Sequence, residues 1–276
     1  MLAGNPRIFL MADPVTILVF DSGLGGLTVF REIAAVRPGA RTVYLADDER
    51  FPYGDIAEAD LIARVLEVIG RAIKRHHPDL VVIACNTAST LALRELRATF
   101  TVPFVGTVPA VKPACAQSKS GRVSVLGTRA TVTREYTRAL IREFANGCEV
   151  DLVGAARLAT FAEAQFNGAP ASDAEIAAEI APCFVDRDGR RTDTIVLACT
   201  HYPLLLDRFR ALAAWPVNWI DPAPAIARRV AELLPVPASP DALPAPQFVL
   251  TSGRQPSGTL MAALRGFGFV AATENA

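Results

Sequence analysis

The sequence predicts an α/β fold in which two similar parallel-sheet domains face each other across a central cleft. Short β-rich runs alternate with longer stretches of helical period, the pattern of parallel strands covered by helices. At 276 residues the chain is about 1.8 times a typical ~150-residue domain, room for two modest cores. Two strand candidates also end alike. Val81-Val82-Ile83-Ala84-Cys85-Asn86-Thr87 and Ile195-Val196-Leu197-Ala198-Cys199-Thr200-His201 both run apolar into Ala-Cys and then polar residues. Two α/β halves would each place a cysteine at the carboxyl end of a strand, where open parallel sheets hold their ligands. A buried strand can also end in Ala-Cys for packing alone, and the repetition is what favours function.

In chain order, the first strand candidate is 16–20, closed by Asp21-Ser22-Gly23-Leu24-Gly25-Gly26, a glycine turn that opens a helix. Strand 42–46 follows. Ile62, Val65, Leu66, Ile69 and Ile73 then recur at helical spacing with Arg64, Glu67, Arg71 and Lys74 between them, an amphipathic covering helix. Strands 80–84, 104–108, 122–127, 149–154, 194–198, 218–220 and 247–251 complete the set, and helices are expected over 91–99, 132–144, 173–183 and 225–234. The proline-rich stretch 235–246 is read as a connector and residues 1–14 as a ragged leader, whose apolar run 8–12 is too short for a signal peptide. The expected domains are 1–108 with 222–276, carrying the first cysteine, and 109–221, carrying the second.

Composition narrows the function. Apolar residues make up 51% and charged residues 20%, a globular balance, and 28 basic residues cancel 28 acidic ones. Zero net charge gives no general pull toward nucleic acid or an anionic membrane, so a small molecule is the first partner to consider. No apolar run approaches the ~18 residues of a spanning helix. Five cysteines, odd in number and without Cys-x-x-Cys, suit neither a disulfide framework nor a zinc knuckle, and a reducing cytoplasm is the expected compartment.

A cysteine between a strand and a helix sits where free N–H groups and the helix dipole favour a thiolate. Cys85 and Cys199 both qualify. His201, two residues from Cys199, can tune that thiol or carry its proton, or simply close a hydrogen bond under the sheet. His76 and His77 precede Pro78 at a helix end and read as a solvated cap. The glycines after Asp21 allow close approach of an anionic ligand, with a plain helix N-cap as the alternative, and the turn lacks the residues of a nucleotide loop. Thr128 and Thr131 offer hydroxyls at a helix start, either a carboxylate seat or a cap. Phe51-Pro52-Tyr53-Gly54 is a loop able to wall a ligand, or an ordinary turn. No His, Asp or Glu cluster has metal-ligand spacing. A pyridoxal route needs a Schiff-base lysine, and Lys74, Lys112 and Lys119 all fall away from predicted strand ends, so no cofactor is expected.

Together these segments resemble the glutamate racemases of the cofactor-independent aspartate/glutamate racemase superfamily. The resemblance runs from about residue 17 to 251 and rests on Val19 to Val29, Pro52-Tyr53-Gly54, Ala84-Cys85-Asn86-Thr87-Ala88, Val105 to Pro113, Gly127-Thr128-x-Ala130-Thr131, Glu163 and Ala198 to Leu204, all in the family's order. It implies that Cys85 and Cys199 are the two acid/bases, that Asp21 assists the first, and that Glu163 and His201 assist the second. It implies further that Asp21, Ser22, Pro52, Tyr53, Gly54, Asn86, Thr87, Thr128, Thr131, Thr200 and His201 hold glutamate. The implied activity is interconversion of L- and D-glutamate for peptidoglycan synthesis in the cytoplasm, with room for a homodimer. Racemisation needs a proton removed from one face of Cα and another delivered to the opposite face, which a repeated Ala-Cys pair can supply. Two alternatives stand beside it: a racemase of another small acidic amino acid or a hydantoin, and a non-catalytic amino-acid-binding module.

Overall fold

The computed structural model describes residues 14–234 and 245–270. The leader through residue 13 and most of the predicted connector, 235–244, lie outside the described residues. The first sheet takes β1 (Thr16–Asp21), β2 (Arg41–Ala46), β3 (Leu80–Ile83) and β4 (Phe104–Gly106), with α1 (Leu27–Val36), α2 (Glu58–His76) and α3 (Asn86–Thr99) as crossovers. The chain then passes through α4 (Val111–Gln117) into a second sheet. Its elements are β5 (Arg122–Thr128), α5 (Arg129–Thr133), α6 (Glu135–Phe144), β6 (Glu149–Ala155), α7 (Leu158–Phe166), α8 (Asp173–Ile180), a two-residue hairpin β7 (Asp186–Arg187) and β8 (Arg190–Arg191), β9 (Thr194–Ala198), α9 (Leu206–Leu212) and β10 (Asn218–Ile220). Helix α10 (Ala223–Leu233) returns to the first sheet, where β11 (Gln247–Leu250) and α11 (Gly258–Arg265) close the described chain.

Strand order is β11-β2-β1-β3-β4 in the first sheet and β10-β9-β5-β6 in the second, with every neighbouring pair parallel. Helices cover both faces of each sheet, so the central strands are buried on both sides and read as continuous apolar runs. Alternate residues divide between the two layers: Ile17 and Val19 pack on the α1 and α10 side, Leu18 and Phe20 on the α2 and α3 side. In β9 the same alternation sends Ile195 and Leu197 to one layer and Val196 and Ala198 to the other. Each of the larger aliphatic and aromatic side chains among these contributes about 1.5–3 kcal/mol by leaving water.

Several predicted bounds are corrected. The helix expected over 132–144 is two helices broken at Arg134, whose backbone is extended (φ −72°, ψ 143°). Its guanidinium is turned across to α3, where Nη1 donates to the Thr87 carbonyl at 3.0 Å and to Thr90 Oγ1 at 2.9 Å. The helix expected from 91 begins at Asn86, because Cys85 itself caps it: Sγ accepts from the Ala88 N–H at 3.5 Å. Strand 104–108 ends at Gly106, after which the Thr107 N–H leaves the ladder for Ser89 Oγ. The 173–183 segment ends at Ile180 and tightens into a 3-10 turn, while its start carries a Ser172/Glu175 capping box. Helix α2 ends as expected, with His76 its last residue and His77 in the left-handed conformation beyond it.

Candidate active site

The carboxyl ends of the two sheets point at each other, and the candidate residues leave those ends. Asp21 is the last residue of β1, Cys85 lies two residues beyond β3, Thr128 ends β5, and Cys199 follows β9 directly. Cys85 and Cys199 line one small cavity, about 20 Å³, together with Ser22, Pro52, Tyr53, Gly54, Asn86, Thr87, Thr128, Thr200 and His201. Phe51 and Ala159 complete its wall, and the Phe51 ring lies 5.3 Å from that of His201. A far larger cavity, about 610 Å³, lies between β4, α4, β10 and α10, but neither Cys85 nor Cys199 lines it. Size therefore does not locate the chemistry here.

The two thiols have different surroundings. Cys85, 5% exposed, donates to Ser22 Oγ at 3.7 Å and accepts from the first turn of α3. Burial first, and then the charge of Asp21, push its thiol up to about 12. Cys199, 6% exposed, lies 3.8 Å from His201 Nδ1, and the other ring nitrogen of His201 is 2.8 Å from Glu163 Oε1. Burial opposes charge on the His201 ring, but its contacts with Cys199 and Glu163 outweigh burial and hold the imidazole well above its ordinary value. A thiol, an imidazole and a carboxylate thus form a chain along which a proton can pass.

Asp21, Glu163 and Thr131 sit one layer behind the cavity. Asp21 is fully buried, accepts from the Gly23 N–H at 3.0 Å, and accepts from Thr200 Oγ1 at 2.9 Å across the cleft. Burial raises its carboxyl, against the pull of His201 and these hydrogen bonds. Glu163, on α7, also crosses the cleft, accepting the Leu24 N–H at 2.5 Å. Thr128 caps α5, its hydroxyl accepting from the Thr131 N–H, and it lines the cavity 3.4 Å from Thr87 Oγ1. Thr131 supports Thr128, with 2.9 Å between the hydroxyls. Asn86 is 2% exposed, and neither its amide oxygen nor its amide nitrogen has a partner among the described residues. Unpaired buried amides cost roughly 1–3 kcal/mol, and both groups of this side chain are available to a polar molecule entering the cavity.

The glycine turn works by close approach. A Cβ on Gly25 would stand 2.6 Å from the His201 backbone nitrogen and 2.5 Å from its Nδ1. Four supporting residues are invisible to pattern reading. Tyr44 donates to the Gly23 carbonyl at 2.7 Å beneath the turn. Asp47 anchors the Tyr53 loop, accepting from Tyr53 at 2.5 Å, Arg64 at 2.5 and 3.0 Å, and Thr251 at 2.6 Å. Among the described residues no three His, Cys, Asp or Glu side chains are grouped to hold a metal, and no helix is long and apolar enough to cross a membrane.

Residues 27–230 match the Asp/Glu/Hydantoin racemase family. The chain is 52% identical over 254 residues to the glutamate racemase of Brucella canis, an alignment spanning 91% of this chain and 92% of that one. In structure it resembles Escherichia coli glutamate racemase in complex with L-glutamate and the activator UDP-MurNAc-Ala, with TM-score 0.85 and 38% identity, covering 93% of this chain and 96% of that one. It also resembles a glutamate racemase isoform of Bacillus anthracis, with TM-score 0.77 and 25% identity over 96% and 97% of the two chains.

Proposed function

This chain belongs to the Asp/Glu/Hydantoin racemase family, and from that premise we propose that it is an isomerase that interconverts L- and D-glutamate, with Cys85 and Cys199 exchanging protons at opposite faces of Cα. The observation that carries this is the pair of thiols leaving the ends of two opposed sheets to line one cavity. Glutamate rather than aspartate or a hydantoin is favoured because the relatives at 52% and 38% identity are glutamate racemases. A binding module has no use for two thiols set in this way.

In the proposed mechanism one sulfur, as thiolate, takes the Cα proton while the other, as thiol, delivers its own to the opposite face. Cys85, with its raised thiol, holds its proton at neutral pH and is suited to deliver it. Cys199 has His201 at 3.8 Å as its proton partner, and Glu163 orients that ring through its far nitrogen. After turnover the two sulfurs have exchanged roles, and the reverse reaction restores them. Asn86, Thr87, Thr200 and Ser22 are the donors and acceptors proposed to hold the substrate's ammonium and carboxylates, and preorganised donors stabilise charge as the carbanion forms. The proposal keeps the division into a domain of 1–108 with 222–276 and a domain of 109–221, and the two separate parallel sheets are what support it. Supply of D-glutamate for peptidoglycan synthesis, a cytoplasmic location and a homodimer, checked by light scattering, belong to the same proposal.

The test is isotopic. In deuterium oxide the first D-glutamate formed from L-glutamate is expected to carry one solvent deuterium at Cα, while the remaining L-glutamate gains much less. Each thiol serves one face, so the arriving hydron comes from a group already exchanged with solvent. Product that keeps the substrate's hydrogen, or substrate that exchanges as fast as product appears, would point to one shared base and overturn the two-thiol assignment.

A further inference from the structure

Three of the five cysteines are buried, and the two that are partly exposed are neighbours. Cys115 lies in the middle of α4 and Cys148 in the turn between α6 and β6. Cys148 Sγ donates to the Cys115 carbonyl at 3.6 Å, the Cys148 thiol is the neighbour that acts on the Cys115 thiol, and both side chains pack with Ile141, Phe144 and Val150 against the apolar layer of Val111, Ala114 and Val123. Two further features hold this contact together. Lys112, one turn before Cys115, lies over the Phe144 ring at 5.5 Å, and Gly147, at φ 87°, turns the chain so that Cys148 faces α4. Nothing in the racemase chemistry uses either sulfur. Cys148 sits at the amino end of β6, so the seven residues of that strand separate it from the catalytic cleft by roughly 20 Å.

We propose that Cys115 and Cys148 are a redox pair that closes to an internal disulfide when the protein meets a small-molecule disulfide of the glutathione type. Cys148, as thiolate, attacks one sulfur of the small disulfide, whose S–S bond breaks and releases one thiolate. Cys115 then loses its proton and attacks Cys148 Sγ, forming the protein S–S bond and expelling the second small thiolate. The two protein sulfurs give up two electrons, the small disulfide accepts them, and the two protons end on the two released thiols. Cys148 lies in a turn while Cys115 is held inside α4, so Cys148 is the first nucleophile, and burial and then the Cys148 neighbour push the Cys115 thiol up to about 12. A high-pKa thiol is also a poor leaving group, so reduction by attack at Cys148 is slow and the closed form persists. The catalytic pair, 5% and 6% exposed, is shielded from the same reagent. The bond would pin α4, the first helix after the chain leaves the first sheet, to the edge of the second.

The wild-type protein is to be incubated with oxidised glutathione and analysed by non-reducing peptide mass spectrometry, with melting temperature and glutamate turnover followed in parallel. The expected result is a Cys115–Cys148 linked peptide, loss of two hydrogens from the protein mass, a melting temperature higher by roughly 5 °C or more, and unchanged kcat. Cys115→Ser should stop at one glutathione on Cys148, and Cys148→Ser should give no cross-link. A stable glutathione adduct on wild-type Cys148, a Cys85–Cys199 bond formed first, or no reaction would each overturn the pair. Because the primary measurement is made on wild-type protein, failure here leaves the racemase assignment standing, and the isotopic result bears on neither Cys115 nor Cys148.

Discussion

Cys85 and Cys199 read as near copies in the sequence and are unlike in place. One rests against a serine hydroxyl and the charge of Asp21, the other against an imidazole backed by a carboxylate. If both act as proposed, neither can replace the other. Cys85→Ser and Cys199→Ser are each expected to lower racemisation by about 1,000-fold, since a hydroxyl is a far weaker acid/base, while glutamate still binds. Circular dichroism of L-glutamate incubated with each variant measures this, and near-normal turnover would remove that cysteine from the mechanism. The Ala-Cys echo made both sulfurs legible in sequence. Glu163 was reached only through family resemblance, since nothing in its own neighbourhood marks it as a partner of His201, 38 residues away. Arg64 was legible only as a charge between the apolar positions of α2, and its tie to the buried Asp47 beneath the Tyr53 loop leaves no mark in the helical period.

The strands could be read at the scale of elements because burial on both faces leaves a continuous apolar run that little else imitates. Helix breaks could not. The 132–144 stretch keeps its helical period throughout, and the interruption comes from Arg134 reaching Thr87 and Thr90, a contact set by another part of the chain. Helices α4, α7, α9 and α11 and the β7–β8 hairpin also escaped the sequence, being short or lacking a clear polar face. The glycine turn after β1 was visible, though its reason was not: the space at Gly25 is taken by the His201 backbone rather than by a ligand. Gly25→Ala is therefore expected to push the β1 turn and the Cys199–His201 turn apart and lower kcat/KM by roughly 100-fold, the usual cost of misplacing reacting groups by about 1 Å. Unchanged kcat/KM in a well-folded variant would show that this contact does not set the cleft.

For the molecule as a whole, buried thiols tie stability to alkaline pH. Cys85 and Cys183 are both raised from near 9 to about 12 by burial, so the folded chain keeps protons that the unfolded chain releases. Their contribution is complete below pH 9 and is lost as pH rises toward 12, by about 1.4 kcal/mol per pH unit for each thiol. Urea midpoints are expected to fall between pH 9 and 11, and Cys183→Ala should lessen that slope by one proton's worth whatever it does to stability at pH 7. An identical slope in the variant would refute the linkage. The pairing of sheets was foreseen, but strand order was not, because parallel neighbours are chosen by long crossovers that leave no local mark. The bonds across the cleft have a consequence of timing. Thr200 on one side completes the shell of Asp21 on the other, and a single oxygen of Glu163 serves both Leu24 and His201. A cavity of about 20 Å³ cannot admit a molecule the size of glutamate, so the halves must part for entry and exit. If these residues act as proposed, each parting breaks the same contacts that arm the proton carriers, and the enzyme would be interlocked: open, it exchanges substrate but is disarmed, and only on closing can it touch a carbon acid.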